Sequence, residues 1–217
     1  MSKIIVAGIG PGGEDFITPA ALKKIRAAKF LVGGRRALND FACDGQITCP
    51  ITRDLDTAID FIRDKLNCGN VVVMVSGDPG YYSMLDTLRK KFPPPSIEVI
   101  PSISAIQLAF AKLSLPWHSA TLLSFHGRQP ARADLNFTAG KILGLLTDAE
   151  NNSATISRLL IECGWSSNSR VTICDRLSYP DEKFFTMTLA EAVKSEPVKH
   201  CVLIVQGAEN RNFTGNF

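Results

Sequence analysis

The chain has 217 residues, of which 45% are hydrophobic and 21% are charged, and its net charge at pH 7 is +3. This length provides enough apolar material for one large domain or two smaller ones. A charge this small does not require a nucleic-acid partner, and no apolar run approaches the roughly 20 residues that span a bilayer. The N-terminus has no signal-peptide layout, so we expect a cytoplasmic protein that binds neither nucleic acid nor membrane.

The first half alternates strand and helix patterns. Thr18 followed by Pro19 is a strong helix start, because threonine caps helices and proline fits their first position. Four apolar strands alternating with helices predict a parallel sheet. The predicted strands are 4–9, 30–34, 71–75 and 97–100; the helices are 18–28, 54–67 and 83–91, with a last one that starts near 102 and runs to about 113.

Beyond Leu115-Pro116-Trp117 the pattern changes to hairpins mixed with helices. We therefore predict two α/β domains, residues 1–115 with a parallel sheet and residues 116–217 with a mixed sheet, and expect residues 208–217 to fray. The second domain is predicted to contain strands 120–125, 141–147, 170–175, 183–187 and 201–205, and helices 153–163 and 189–194.

The cysteines show neither a disulfide framework nor a zinc-finger spacing. They form no C-x-x-C pair, and no histidine lies at finger spacing from them. We therefore expect free, mostly buried thiols and no metal site built by this protein. The cysteines are Cys43, Cys49, Cys68, Cys163, Cys174 and Cys201.

Residues 76–82, here called the Asp78 loop, follow an unbroken β-branched strand and precede a helix. This places them at the carboxyl end of a buried parallel strand, where open α/β sheets bind ligands. The loop offers backbone N–H groups, the carboxylate of Asp78 and the rings of Tyr81 and Tyr82. The alternative is an ordinary tight turn in which glycine and proline serve only the backbone.

Residues 8–13, here called the glycine loop, match the G-x-G-x-x-G string of dinucleotide-binding folds. Three features argue against a dinucleotide site. The helix start lies at Thr18 rather than at Gly13, the second strand ends without an acidic residue, and Pro11 removes a backbone donor. We favour a loop whose glycines let a bulky ligand approach the backbone closely.

Three stretches, in this order and spacing, resemble the tetrapyrrole methylase family, which uses S-adenosylmethionine (SAM) to methylate uroporphyrinogen and precorrin rings. They are Gly8-Ile9-Gly10-Pro11-Gly12, Ser76-Gly77-Asp78-Pro79 and Pro101-Ser102-Ile103-Ser104-Ala105, the last here called the Ser102 segment. Further stretches resemble the branch that methylates C5 of cobalt-precorrin-7, also called precorrin-6Y methylase, in its stand-alone form. They are residues 32–36, 107–111, 115–117, 124–128, 146–148 and 177–182.

The resemblance implies two α/β domains with SAM in the cleft between them, usually in a homodimer. By the motifs, it implies that SAM contacts Pro11, Ser76, Gly77, Asp78, Tyr81, Ser104, Ala105, Thr147 and Leu177. The family usually has glycine at the positions of Ser83 and Ser102. If either glycine uses a left-handed backbone, serine would cost on the order of 1 kcal/mol there.

Methyl transfer from a sulfonium to an electron-rich ring carbon requires positioning rather than a catalytic triad. The many carboxylates of a precorrin substrate favour arginine at the rim of the site. Arg35, Arg36 and Arg128 are candidates, although adjacent arginines are also common on ordinary surfaces. His126 either binds a carboxylate, accepts a late proton or is a structural loop residue. Asp148 is expected to cap the next helix.

Four other functions remain open at this stage. Within the family, the chain could methylate another ring position or serve diphthine synthesis. Outside that chemistry, the alternatives are a nicotinamide dehydrogenase, which the glycine loop disfavours, and a tetrapyrrole carrier without catalytic activity.

Overall fold

The computed structural model describes residues 2–52 and 54–207. The predicted frayed segment, 208–217, lies outside them. The chain folds into two compact units, each held together mainly by contacts among its own residues. The first ends at Ser104 and the second begins at Ala105. Both are α/β, as predicted.

The first unit is a five-stranded parallel sheet with strand order β3-β2-β4-β1-β5. Strand β1 lies beside β4, with Ile4 opposite Val71 and Gly8 opposite Val75. The elements are β1 (Ile4–Gly8), α1 (Pro19–Ala27), β2 (Phe30–Gly33), α2 (Arg35–Phe41), β3 (Ile47–Pro50), α3 (Asp56–Lys65), β4 (Val71–Val75), α4 (Leu85–Lys91) and β5 (Ile97–Ile100).

Helices cover both faces of this sheet. Ile25 of α1 and Phe41 of α2 pack in the hydrophobic cluster of one face, with Ile5 and Val72. Helices α3 and α4 contribute to the cluster of the other face, which contains Ile4 and Val73. The chain therefore leaves β1 and its neighbour β4 towards opposite faces. Such a divergence opens a crevice at the carboxyl ends of the two strands.

Two elements of the first unit, β3 and α2, escaped prediction. Strand β3 exposes three of its four residues and ends in proline, so it has no apolar run to signal it. Helix α2 begins after Gly34, whose absent side chain gives no capping signal. Thr18, in contrast, caps α1 as predicted, with Oγ1 accepting a hydrogen bond from Ala21 N at 3.2 Å.

The second unit is a mixed sheet with strand order β6-β7-β10-β8-β9, in which β6 and β7 are parallel and the other neighbours antiparallel. One face packs against Ile156 and Leu160 of α7 and Leu189 of α8. The elements are α5 (Ala105–Lys112), β6 (Thr121–Ser124), α6 (Arg132–Leu135), β7 (Ile142–Leu146), α7 (Ser153–Glu162), β8 (Arg170–Asp175), β9 (Lys183–Thr188), α8 (Leu189–Lys194) and β10 (Val202–Gln206).

Helix α5 belongs to the second unit, whereas the division expected at 115/116 placed it in the first. Ile106 and Phe110 of α5 lie so close to Gly144 of β7 that a Cβ there would meet both at 2.9 Å. This packing depends on a contact between distant parts of the chain, so the break at Leu115-Pro116 does not reveal it. Within the described residues, no helix is long and apolar enough to cross a bilayer.

Candidate functional site

The glycine loop and the Asp78 loop meet in the crevice between β1 and β4. Ile9 N donates to Val75 O at 3.0 Å, and Gly77 N donates to Gly10 O at 2.8 Å. Gly10 and Gly77 both have left-handed backbone, with φ of 73° and 68°, which glycine adopts without strain. The two loops are therefore joined through their backbones.

Asp78 joins the Asp78 loop to the Ser102 segment. Its Oδ1 accepts a hydrogen bond from Gly80 N at 2.7 Å, within its own loop. Its Oδ2 accepts one from Ser102 N at 2.9 Å, which follows the end of β5. The side chain predicted to contact a ligand is thus an organiser of the loops, since each carboxylate oxygen has a backbone partner.

Both serines that stand in place of family glycines make hydrogen bonds. Ser102 Oγ donates to Phe16 O at 3.2 Å, and Ser83 Oγ donates to Pro79 O at 2.5 Å while accepting from Leu85 N at 3.1 Å. Neither serine has a left-handed backbone. The strain considered for these positions is therefore absent.

Gly8 is the point where the three stretches pack most closely. A Cβ on this residue would lie 2.7 Å from Ser102 Cβ, 2.8 Å from Gly77 O and 2.8 Å from Pro79 Cδ. Contacts this short do not occur in folded proteins, so only glycine fits. The crowding ties the end of β1 to both neighbouring stretches.

Tyr81 presents a polar atom without a described partner. Its Oη is buried and has no hydrogen bond among the described residues. Burial raises the pKa of this phenol above its usual range, so the hydroxyl stays protonated. Its ring packs edge-on against Tyr82 at a centroid distance of 4.6 Å, and Tyr82 itself has a left-handed backbone with φ of 52°.

The remaining first-unit candidates lie around these loops. Arg35 and Arg36 form the exposed first turn of α2, and Arg36 Nη2 lies 3.5 Å from Ser76 Oγ. Ser104 is buried, with its Cα 3.6 Å from where a Cβ on Gly77 would lie. Pro11 in the glycine loop is half-buried.

The second sheet has an edge of its own that gathers predicted site residues. Strand β7 is parallel to β6 and antiparallel to β10, which is antiparallel to β8. The ends of β6, β7 and β8 therefore share one edge with the start of β10. We call it the second edge; it holds the predicted site residues His126, Thr147 and Leu177, and also His200.

Thr147 and Leu177 are both buried. The hydroxyl of Thr147 donates to Cys201 O at 2.9 Å and accepts from Cys201 N at 2.8 Å, which closes the start of β10 onto the end of β7. This hydroxyl therefore has a structural role.

Ala105, the last residue of the Ser102 segment, is the first residue of α5 and is half-buried.

Asp148 holds the loops of the second edge and does not cap a helix. Its carboxylate accepts backbone hydrogen bonds from Gly127, Glu150 and Asn151 at 3.0, 2.9 and 2.7 Å. The hydrogen bond from Gly127, followed by that from Asn151, lowers the pKa of Asp148 to about 2. The cap of α7 is Asn152, which accepts from Ala154 N and Thr155 N.

His126 and Arg128 are both exposed. His126 Nδ1 lies 3.4 Å from Thr147 O. Sequence reasoning assigned no function to His200, whose ring centroid lies 6.3 Å from that of His126. No local pattern marks it, because His200 reaches this edge through the antiparallel pairing of β10.

Other features of the described residues do not coincide with these loops. A cavity of about 340 Å³ lies in the first unit, lined by residues that include Arg26, Asp40 and Cys43, but by no predicted site residue. No group of three or more potential metal ligands occurs in the described part of the chain. All six cysteines are free, and Cys43 and Cys68 are exposed.

Comparison with known proteins identifies what this arrangement is similar to. The family model described as Tetrapyrrole (Corrin/Porphyrin) Methylases matches residues 3–193. The probable cobalt-precorrin-7 C(5)-methyltransferase of Methanocaldococcus jannaschii is 28% identical, over 95% of this chain and 99% of the relative. The cobalt-precorrin-7 C(5)-methyltransferase of Salmonella typhimurium is 29% identical, over 93% and 98%. The crystal structure of uroporphyrin-III C-methyl transferase from Thermus thermophilus, complexed with S-adenosylhomocysteine, superposes with a TM-score of 0.75 at 20% identity, over 99% of this chain and 96% of the other.

Proposed function

The chain belongs to the tetrapyrrole methylase family, which uses SAM as its methyl donor, and from that premise we propose that it methylates carbon 5 of cobalt-precorrin-7. Two cobalt-precorrin-7 C(5)-methyltransferases at 28% and 29% identity support this choice of ring carbon. The observation that carries the proposal is the junction of the glycine loop, the Asp78 loop and the Ser102 segment at Gly8.

The residues of this junction fit a ligand such as SAM in two respects. Gly10 and Gly77 both have left-handed backbones, and the side-chain direction of Gly10 is filled by Phe16, whereas a Cβ on Gly77 would meet only Ser104 Cα at 3.6 Å. A ligand is therefore able to approach the peptide group of Gly77 directly. The buried Oη of Tyr81 has no partner among the described residues, and an unpaired buried hydroxyl is costly unless a ligand satisfies it. A ligand with polar groups and a flat aromatic part suits both features.

When bound, SAM supplies a methyl group on a positively charged sulfur, which is electrophilic enough to react with an electron-rich carbon. The protein's task is therefore orientation and exclusion of water. Asp78 contributes indirectly, because it fixes the backbone of Gly80 in its own loop and of Ser102 after β5. In our proposal, Pro11, Ser76, Gly77, Tyr81, Ser104 and Ala105 line the SAM site.

The second edge contributes in a different way. The hydroxyl of Thr147 is engaged by Cys201, so a contact from Thr147 or Leu177 to SAM would be one of packing rather than hydrogen bonding. Arg128 of this edge is an exposed cation, as are Arg35 and Arg36 of α2 in the first unit, and all three suit the carboxylates of a precorrin. His126 is a second type of carboxylate partner, and its imidazole is also able to accept the proton that leaves the ring after methylation.

The decisive experiment incubates the purified protein with SAM and isolated cobalt-precorrin intermediates. We expect cobalt-precorrin-7 to gain one methyl group by mass spectrometry, and NMR of the product to place it on carbon 5. A methyl group on another carbon would overturn the choice of ring position. Absence of S-adenosylhomocysteine binding in calorimetry at high micromolar concentration would overturn the methyltransferase itself and favour a tetrapyrrole carrier.

We also propose that the protein is a homodimer, as the family resemblance implies. Analytical ultracentrifugation across a range of concentrations tests this, since a monomer of 23.6 kDa at all of them would contradict it. The cytoplasmic location stays a prediction from the sequence.

A further inference from the structure

Two of the three histidines in the chain come together at the second edge. His126 follows the end of β6, and His200 precedes β10, so 74 positions of sequence separate two side chains that the sheet brings close. Their ring centroids are 6.3 Å apart with planes inclined at 59°, and both residues are exposed. A separation of this size leaves room for one small group to contact both rings.

The orientation of His126 is set by its surroundings. Its Nδ1 lies 3.4 Å from the carbonyl oxygen of Thr147, a contact that restrains the rotation of the ring. Nε2 is then the ring atom left for a further partner. The following residue is fixed as well, since Gly127 N donates to Asp148 Oδ2 at 3.0 Å.

His200 occupies a costly backbone conformation. Its φ of 53° lies in the left-handed region, which glycine or asparagine adopts with less strain. Arg176 and Ser178, at the same edge, are left-handed too, and these three are among only five such non-glycine residues in the described part of the chain. Strained backbone of this kind concentrates at sites of binding and catalysis.

Each histidine has an exposed cation close to it in sequence, and Asp148 and Asp175 are acidic residues at the same edge. Arg128 follows Gly127 directly, and Lys199 directly precedes His200; both are exposed. The carboxylate of Asp148 is already occupied by three backbone N–H groups. A transition metal would need a third ligand, and the described residues contain no group of three candidates.

We propose that His126 and His200 together bind one carboxylate group of the tetrapyrrole substrate. A carboxylate placed between the rings accepts a hydrogen bond from a nitrogen of each at about 2.8 Å. Each ring donates through the N–H group that faces the anion. This inference rests on the proposed function, because it takes the carboxylate from the substrate of that reaction.

The test measures binding of a corrinoid polycarboxylic acid, cobyrinic acid, and of its amide counterpart by absorbance titration. For the acid, we expect His126→Ala and His200→Ala each to weaken binding about tenfold, in line with a lost charge-assisted hydrogen bond. The double variant should weaken it by much less than the product of the two, because both rings bind the same group. Affinity for the amide should be unchanged in all of them.

Three controls separate this inference from the proposed function and from misfolding. His118→Ala, the change at the third histidine, should leave binding of the acid unaltered. His200→Gly should melt at a higher temperature than the parent protein yet bind the acid as weakly as His200→Ala, which shows that the loss is not one of folding. S-adenosylhomocysteine should bind every variant normally; if it binds none, the proposed function fails instead.

Two results would overturn the inference. One is equal affinity of the parent protein and the histidine variants for the acid, with S-adenosylhomocysteine still bound. The other is tight binding of Zn²⁺ by the parent protein that both single variants lose without any change for the acid.

Discussion

The carboxyl edge of the first sheet and the second edge are built in contrasting ways. At the first, a backbone hydrogen bond joins Gly77 to Gly10, and close packing at Gly8 leaves no room for a side chain. The Asp78 carboxylate attaches the Ser102 segment to the Asp78 loop, and the Ser102 hydroxyl attaches it to Phe16, which follows the glycine loop. At the second edge, side chains make the links, through Thr147 to Cys201 and through Asp148 to three backbone N–H groups.

This difference matches what each edge is proposed to do. A cofactor with many polar atoms is held best by rigid, close-packed backbone, where no side chain has to be ordered on binding. The many carboxylates of a precorrin substrate are bound better by exposed histidine and arginine side chains. The first edge should therefore tolerate substitution poorly, whereas changes at the second should have small effects on the fold.

Gly8→Ala should have the largest effect. The new Cβ would lie within 2.8 Å of Ser102 Cβ, Gly77 O and Pro79 Cδ, and all three atoms belong to the two neighbouring stretches, which Asp78 links to each other. We expect a loss of stability of about 2 kcal/mol or more and a fall in affinity for S-adenosylhomocysteine of at least a hundredfold, measured by urea unfolding and calorimetry.

Gly144→Ala is the matched control in the second unit. Its Cβ would approach only side-chain atoms, Ile106 Cγ2, Phe110 Cε2 and Leu122 Cδ2, at 2.9 Å each, and no backbone. We expect a comparable or smaller loss of stability with S-adenosylhomocysteine affinity preserved. If both variants lose affinity for S-adenosylhomocysteine equally, the effect of Gly8→Ala comes from impaired folding rather than from a change at the ligand site.

Asp78→Ala should rank second. It leaves Gly80 N and Ser102 N without their acceptors, so we expect a loss of about 2 kcal/mol in unfolding free energy together with an affinity for S-adenosylhomocysteine at least tenfold weaker. Both quantities are measured, because the loss of a carboxylate that links the Asp78 loop to the Ser102 segment should lower stability and affinity together. Unchanged affinity in a destabilised variant would separate Asp78 from the ligand site.

Tyr81→Phe should raise stability while lowering affinity. The buried Oη has no described partner, so its removal should stabilise the free protein by about 1 kcal/mol. If a ligand satisfies this hydroxyl, the affinity for S-adenosylhomocysteine should fall about fivefold to tenfold. Tyr82→Phe is the neighbouring control; a fall in both variants, or in neither, would argue against a specific role for the Tyr81 hydroxyl.

The sequence predicts the features that depend on neighbouring residues, and it does not predict those that depend on contacts between residues distant in the chain. The Asp78 loop and the glycine loop were recognised because glycine, proline and aspartate mark turns locally, and each follows an apolar strand. The link from Asp78 to Ser102, 24 positions away, was not anticipated, because it depends on β4 and β5 both lying beside β1.

The second edge was predicted least. His126 was recognised from its position at the end of β6, but His200 has no local signal and owes its place to the antiparallel pairing of β10. Asp148 was predicted to cap α7, but Asn152 is the cap and Asp148 binds the backbone of the loops instead. The prediction was wrong because an aspartate or asparagine just before a helix is able to play either role, and the sequence does not distinguish the two. Strand β3 was missed because its residues are mostly exposed and form no apolar run, whereas the place of α5 in the second unit depends on its packing against Gly144 of β7.

Ser102→Gly restores the residue usual in the family and should have a modest effect. The variant loses the hydrogen bond from Ser102 Oγ to Phe16 O and gains freedom in the unfolded chain, which together cost about 1 kcal/mol. The backbone N–H that Asp78 binds is kept, so affinity for S-adenosylhomocysteine should change by less than about threefold. A larger loss of affinity would mean that Phe16 and the glycine loop are positioned by this serine.

Asp148→Asn should have the smallest effect and a distinctive dependence on pH. The backbone hydrogen bonds lower the pKa of Asp148 from its ordinary value of 3.8 to about 2, so the ionised form stabilises the folded state above about pH 4. That contribution is lost as the pH falls from about 4 through 2, where the folded state must also protonate the group. Because this carboxylate is largely in contact with solvent, we expect a difference of no more than about 1 kcal/mol at pH 7. Urea unfolding of parent and variant between pH 7 and 2 should show the two curves converging; a gap that persists at pH 2 would mean that shape, not charge, holds the second edge together.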